Sequence, residues 1–466
     1  MKLLKKVRRE TWMELLFLMG VFVMYFIWAR IQPLGASPDE AMRYRIADYI
    51  YQNGKLPVGD DPAVRDEMWG FSYAYYPVLS YMVSAVFMKL VSLITTSLYP
   101  LVMAARLANL CFGMLTAFFV IRIGKRLFES CRAWLFSFFI CFLPGTVFVF
   151  SYVNCDGLAV LSSSIIVYAW VCALQEGWSY RNCSILSAGL GLCALSYYNA
   201  YGFVLCSIAF FGISLWIEAR KAGDYRIFLK KGTFVCVFVL LLAGWWFIRN
   251  AILYDGDFLA RKASGLCAET YAIEELKPSK KVSPHSAGLT LLQMLNEGFA
   301  DTTVSWVELA CRSFAGRFGH MNVAMQPWVE NNLLDFIKAG CLLALFHPVR
   351  LFGLKEKGKL RLQGVFSWCM LAAALIPVGI NIYYSYYLDY QPQGRYSLPM
   401  IIPLAYFMMT GYGNLLDGLV KKQIVRKILC GVVCALLVLI TLWVFITIFW
   451  PAYKPEPFGI RALIGF

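Results

Sequence analysis

The sequence is poor in charge: Asp, Glu, Lys and Arg make up 15% of its 466 residues, while hydrophobic types make up 60%. Soluble globular domains carry roughly a quarter charged residues, so a soluble enzyme is excluded. Histidine is nearly missing, with His285, His320 and His347 the full complement of 3. Their spacing forms no HExxH motif, no cluster and no Cys/His zinc pattern. A P-loop, a GxGxxG fingerprint and a Gly-x-Ser-x-Gly elbow are also absent, which leaves the nucleotide-binding and serine-hydrolase signatures unmatched. The 15 cysteines are an odd number, and most lie in apolar runs where they behave as small hydrophobes. Their spacing gives no disulfide framework.

What the chain has is a series of apolar runs. A run of about 20 residues can span the hydrocarbon core of a bilayer. The first, Trp12 to Leu34, follows a basic segment (Lys2, Lys5, Lys6, Arg8, Arg9) and is too long for a signal-peptide core, so it reads as a retained anchor. Further spans are expected at Leu101 to Ile121, Ala133 to Val153, Gly157 to Leu174, Ser184 to Tyr198 and Gly202 to Ile217. Others are expected at Thr233 to Leu253, Asn332 to Phe352, Gly364 to Tyr386, Tyr396 to Leu416 and Ile428 to Trp450. The expected fold is an all-α polytopic membrane protein of about eleven transmembrane helices, residues 1–466 forming one domain.

Pro77 to Leu98 is apolar too, but Lys89 interrupts it and parity argues against a crossing. If it does not cross, the basic loops Arg122 to Arg132, Arg181, Arg220 to Lys231, Arg350 to Arg361 and Lys421 to Lys427 all share the N-terminal, cytoplasmic side, as the positive-inside bias requires. The inner segments then hold 24 of the 43 Lys and Arg but only 7 of the 28 acids. The formal charge of +15 is therefore a surplus of 17 inside and a deficit of 2 elsewhere. No basic surface remains outside for a polyanion, which removes nucleic acid as a partner. Two long outer loops, about 35–100 and about 254–330, face the other way, and loops of that length are usually functional. Lys277, Pro278, Lys280, Lys281 and Pro284 mark a flexible middle in the second.

The candidate chemistry lies in those loops and at the adjoining helix ends. Ser37-Pro38-Asp39-Glu40 has the pattern of a capping box, with Ser37 at N-cap, Pro38 at N1 and Glu40 at N3. It would start an amphipathic helix with Met42, Ile46, Tyr49 and Ile50 on one face, ended by Asn53-Gly54. Asp39 is left without a capping job, so it reads either as a functional carboxylate or as an acid favoured by the helix dipole. Trp69, Tyr73, Tyr75 and Tyr76 read as an interfacial belt or as a sugar-stacking platform. In Gln393-Gly394-Arg395-Tyr396 the guanidinium stands beside further hydrogen-bonding groups, with Gly394 allowing close backbone approach; arginine suits phosphate recognition. Arg249 and Asn250 end another span at the same face. Asn154 and Asp156 occupy a tight outer turn, and His320 sits in an ordered Gly- and aromatic-rich stretch, Ser313 to His320.

These motifs together resemble the GT-C superfamily of polytopic glycosyltransferases, in particular a bacterial branch of uncharacterised membrane proteins related to the protein mannosyltransferases. The likeness rests on Pro38-Asp39-Glu40, Tyr76-Pro77, Ala105-Arg106-Leu107, Gly124-Lys125-Arg126-Leu127-Phe128, Asn154-x-Asp156, Trp245-Trp246-x-x-Arg249-Asn250 and Gln393-Gly394-Arg395-Tyr396. It implies a GT-C-like bundle with juxtamembrane helices in the first outer loop, residing in a bacterial cytoplasmic membrane with its active face outward. It also implies inverting transfer of a sugar from a polyprenyl-phosphate donor to a glycan, lipid or protein acceptor. Asp39 would be the general base, with Glu40 beside it. Arg395, Gln393, Tyr396, Arg249 and Asn250 would bind the donor phosphate, and Asn154, Asp156 and His320 are substrate-binding candidates. A histidine common after the acidic pair in this branch is not evident, and Arg43 occupies the next turn. No resident cofactor is implied, and the acids leave a divalent cation open. The rival reading is a transporter or flippase of a lipid-linked glycan.

Overall fold

The computed structural model describes residues 2–300, 302–356 and 359–453. Helices follow the apolar runs: α1 (Lys2–Ile31), α2 (Glu40–Asn53), α3 (Leu79–Val91), α4 (Leu98–Leu127), α5 (Ser130–Phe142), α6 (Pro144–Val149), α7 (Asp156–Glu176), α8 (Tyr180–Ala194), α9 (Gly202–Ala222) and α10 (Arg226–Leu253). The second half adds α11 (Arg261–Tyr271), α12 (Leu291–Asn296), α13 (Trp306–Gly316), α14 (Pro327–Ala344), α15 (Pro348–Phe352), α16 (Leu362–Tyr387), α17 (Ile401–Leu419), α18 (Gln423–Val444) and α19 (Trp450–Tyr453). A 3-10 segment, Gly394–Met400, leads into α17. Among the described residues, strands are confined to two antiparallel pairs of two-residue strands, one pairing Arg317–Phe318 with Val323–Ala324.

Seven described helices are long and apolar enough to cross a membrane, against the eleven expected. The difference has local causes. Ala133 to Val153 is split into α5 and α6 because Pro144 opens a new helix and forces Leu143 into an extended conformation. Ser184 to Tyr198 yields only the 15-residue α8. The helices at Asn332 to Phe352 and Tyr396 to Leu416 carry polar residues such as Glu330, Asp335 and Asp417 that lower their hydropathy. Pro77 to Leu98 forms the 13-residue α3, short for a span, packed on α2 and α4. Helix α7 is apolar all round and central, with 89% of its apolar window buried, whereas α10 is peripheral with 11%.

Ion pairs gather the basic segments at one end. Arg122 and Lys125 meet Glu14 of α1, Arg126 meets Glu176, Lys231 meets Glu218, and Asp417 joins Arg132 to Arg426. Lys357, counted among the basic residues above, lies outside the described residues. The two long loops pack together at the opposite end: the Tyr254 hydroxyl accepts from the Gly59 amide at 2.9 Å, and Arg65 lies 3.6 Å over the Tyr271 ring. The middle of the second loop is tied down rather than loose, since Lys281 pairs with Asp389 at 2.9 Å.

Candidate active site

The Ser37 capping box does not form. The Ser37 hydroxyl donates to Gln32 Oε1 at 2.5 Å, and the N-cap of α2 is Asp39, left-handed at φ 61°. Aspartate tolerates that conformation better than most residues, yet it costs of the order of 1 kcal/mol and persists only where surroundings hold it. What holds it is charge. Asp39 Oδ2 accepts from Arg395 at 2.7 Å and from Arg43, one turn on in α2, at 3.3 Å. Arg43 also donates to Asp156 Oδ2 at 3.3 Å, and Asp156 Oδ2 lies 3.9 Å from Arg395. Two cations and two anions thus close a ring of zero net charge. Asp39, at 27% side-chain exposure, and Arg395, at 8%, face a cavity, while Arg43 and Asp156 are fully buried behind them.

Burial alone would push the Asp39 carboxyl up, but Arg395 and Arg43 outweigh it and hold it down at about 2. Arg395 is oriented by Gln393, which accepts at 2.7 Å, by the Tyr396 hydroxyl at 3.0 Å and by the Tyr152 hydroxyl at 3.3 Å. Gly394 serves this placement differently from expectation. A Cβ there would come within 2.1 Å of the Phe314 amide nitrogen, so the close approach is to α13 and not to a ligand.

Glu40 turns away from its neighbour. Its two oxygens take paired hydrogen bonds of 2.8 Å from Arg106, whose remaining donors reach the carbonyls of Ala29, Gln32 and Pro33. The Val153 amide donates to Glu40 as well, at 3.1 Å. This fully buried clamp ties the end of α1, the start of α2, α4 and the loop before α7, which makes Glu40 a poor candidate for contact with substrate. Asn154 is likewise spent on its turn, donating to the Val149 and Tyr152 carbonyls and accepting from the Gly157 amide.

The cavity beside Asp39 and Arg395 has a volume of about 420 Å³. Trp69, Phe71, Tyr73, Tyr76, Tyr197, Tyr198, Tyr384 and Tyr396 line it, with Asn199, Gln391, Gln393, His320, Arg261, Lys281 and Asp389 among the polar groups. Tyr73, Tyr76 and Tyr198 follow one another at ring spacings of 5.7 and 5.6 Å, making one aromatic wall. Tyr75 packs on Tyr254 instead. His320 reaches the Gly35 carbonyl at 3.0 Å. Arg249 and Asn250 are not brought to this cavity: Arg249 donates to the Pro57 carbonyl at 2.7 Å and stacks on Trp246, and Asn250 is buried. The sequence reading passed over the lining residues Tyr197, Tyr198 and Tyr384. Their clustering as Tyr pairs at the ends of apolar runs was the available signal.

Among the described residues, no group of three or more His, Cys, Asp or Glu gathers to hold a metal ion.

No curated protein matches the sequence. Among solved structures, the fold is similar to that of ArnT from Cupriavidus metallidurans bound to undecaprenyl phosphate, with a TM-score of 0.51 and 13% identity over 87% of this chain and 62% of that one. It is similar to the oligosaccharyltransferase AglB from Archaeoglobus fulgidus in complex with an inhibitory peptide and a dolichol-phosphate, with a TM-score of 0.50 and 12% identity over 91% and 55%. A further Archaeoglobus fulgidus oligosaccharyltransferase structure, in complex with Zn and sulfate, gives a TM-score of 0.53 and 14% identity over 90% and 52%. The chain thus spans between about half and three-fifths of the length of these structures, and the likeness is one of fold: an all-α, GT-C-like membrane bundle. Residues 59–404 match the family model described as "Predicted membrane protein (DUF2142)", and the chain belongs to that family.

Proposed function

We propose that the chain is a glycosyltransferase that moves a sugar, with inversion, from a polyprenyl-phosphate carrier to an acceptor at the outer face of a bacterial cytoplasmic membrane, in cell-envelope glycan or glycoconjugate modification. The observation that carries this reading is the Asp39–Arg395 pair, 2.7 Å apart on the wall of the aromatic cavity. A base and a phosphate-binding cation side by side are what the reaction requires. Asp39 takes the proton of the acceptor hydroxyl as its oxygen attacks the anomeric carbon. The bond from that carbon to the phosphate oxygen breaks, and its electron pair leaves on the phosphate, where Arg395 neutralises it. Gln393 and Tyr396 keep the guanidinium aimed, and the wall of Tyr73, Tyr76 and Tyr198 supplies apolar faces for the sugar ring.

The resting pair is also a brake. With Arg395 beside it Asp39 is a weak base, at about 2. A donor phosphate competing for the same guanidinium frees the carboxylate and raises its proton affinity, so base strength arrives with the donor.

The lipid tail has a matching surface. An open groove lined by Tyr201, Leu259, Ile376 and Gly379 shares Tyr198, Arg261, Ile380 and Tyr383 with the cavity. Arg261 is exposed and has no ion-pair partner among the described residues. An apolar groove running into a polar cavity, with a cation at the junction, suits an amphiphile whose phosphate stays with Arg261 and Arg395 while its chain lies on the helices. The undecaprenyl phosphate and dolichol-phosphate named for the similar structures support this class of ligand.

The transporter reading lacks such support. Glu40, Arg43, Arg106, Asp156, Glu330 and Arg395 are the buried charged residues among those described, and all lie toward the end that carries the long loops. Transporters put such groups near the midplane. The test is transfer of labelled sugar from a polyprenyl-phosphate donor by the purified chain. Loss of transfer in Asp39→Asn and Arg395→Ala is expected, and full activity in both would sink the assignment.

A further inference from the structure

The reaction above uses neither Asp156 nor, facing it across the charged ring, Arg43. Arg43 stands between two carboxylates that come from different helices, Asp39 at the start of α2 and Asp156 at the start of α7, and donates to Oδ2 of each at 3.3 Å. Its side chain is 0% exposed, and the guanidinium lies 4.6 Å from the Tyr73 ring centroid and 5.9 Å from that of Tyr197. Two carboxylates converging beside a site that binds phosphate are the oxygen donors a hard divalent cation bridges. Such a cation does not fit here. The space between the carboxylates is filled by a permanent cation, and Arg395 stands on the far side of both. Asp156 Oδ1 is the one carboxylate oxygen of the ring left buried without a partner, a single ligand flanked by two guanidinium groups. Glu40, the nearest acid in sequence, has both oxygens on Arg106.

We infer that Arg43 takes the place of a divalent cation between Asp39 and Asp156, so that the chain supplies the fixed positive charge itself and the site works without metal. The charge balance follows from this. With Arg43 in place the ring is neutral. When a lipid phosphate engages Arg395, Arg43 remains to hold Asp39 in position and to offset the added negative charge. Without Arg43 the two carboxylates would keep only Arg395 between them, and once a lipid phosphate engages that guanidinium a dication would be needed to relieve their repulsion. Arg43 is on this account a positioning residue. Its link to catalysis rests on the proposed function, whereas its occupation of the cation position does not.

The experiment uses the full chain in detergent and Mn²⁺ as the probe, read by electron paramagnetic resonance after chelation and desalting. Wild type should bind no Mn²⁺ that depends on Asp156, whereas Arg43→Gln should gain a bound ion that disappears in Arg43→Gln/Asp156→Asn. Transfer by wild type should be unchanged by EDTA. In Arg43→Gln it should fall on the order of 100-fold and recover in part on adding Mn²⁺, a rescue that a merely structural residue would not show. Mn²⁺ binding by wild type that Asp156→Asn abolishes would overturn the inference, as would a folded Arg43→Gln chain that gains no ion. Should that variant not fold, the wild-type binding measurement decides alone. Should no transfer be found at all, the proposed function fails while the Mn²⁺ measurements still decide the role of Arg43.

Discussion

Asp39 and Glu40 are adjacent in the chain but engage different partners: Asp39 meets Arg395 at the cavity wall, whereas Glu40 is clamped by Arg106 out of reach of solvent. Their conservative amides should therefore fail in different ways. Asp39→Asn keeps the size of the side chain and should lower kcat by roughly 100-fold to 10,000-fold, the usual contribution of a general base, at a smaller cost in stability than the Glu40 change. Glu40→Gln leaves Arg106 as a buried cation without its counter-charge, which costs about 3–5 kcal/mol in comparable buried pairs. A melting curve in detergent separates the two. If Glu40→Gln melts like wild type and loses only transfer, Glu40 belongs to the chemistry after all.

The depressed Asp39 carboxyl makes a prediction about acid. Folding moves it from 3.8 to about 2, so the folded chain holds this proton more weakly than the unfolded one. The stability it contributes, about 2 kcal/mol, is present above about pH 4 and is lost as pH falls through 2. The stability gap between wild type and Asp39→Asn should stay level from about pH 5 to 8 and shrink only in stronger acid. Kinetics should add a second signature. The acid limb of kcat/KM reports the free enzyme, where Arg395 depresses Asp39; the limb of kcat reports the donor complex, where the phosphate shares Arg395. The kcat limb should lie at the higher pH, and coincident limbs would mean that donor binding does not release the carboxylate.

Orientation is open to direct measurement. Asp60 is exposed in the first long loop, at the end of the bundle opposite the basic ion pairs. In whole cells, Asp60→Cys in a background without the other exposed thiols should react with a reagent that cannot cross the membrane. Reaction only after the cells are opened would reverse the orientation and put the cavity on the cytoplasmic side.

Part of the candidate site was legible because its residues lacked local jobs. Asp39 stood out as an acid that the expected cap did not need, and Arg395 as an arginine beside Gln393 and Tyr396 where the chain re-enters the bundle. What could not be read was the pairing. Arg43 contacts Asp156 across 113 positions, and no periodicity within α2 announces a partner on α7. The same gap misled the reading of Arg249: its place at the end of an apolar run was visible, but that its donor goes to the Pro57 carbonyl is a fact of the folded loop. The capping box failed for a related reason, since Gln32 competed for the Ser37 hydroxyl and the tertiary charge ring chose the conformation of Asp39. The span count suffered where a local breaker, Pro144, overrode continuous hydropathy.

The apolar groove offers a test that leaves the charged ring alone. Gly379 of α16 lines it, and a Cβ built there meets no atom within 4 Å. Gly379→Phe should therefore fold, and the loss of a helix-interior glycine should favour α16 by about 1 kcal/mol before any effect of the ring. The phenyl group would occupy space that the lipid chain needs. For a donor with a full-length polyprenyl chain KM should rise on the order of 10-fold, equivalent to about 1.4 kcal/mol of lost contact, with kcat little changed because Asp39 and Arg395 are untouched. For a donor whose chain is too short to reach Gly379 the variant should match wild type. An equal loss with both donors would point to a disturbed helix, and no loss with either would mean that the chain runs elsewhere.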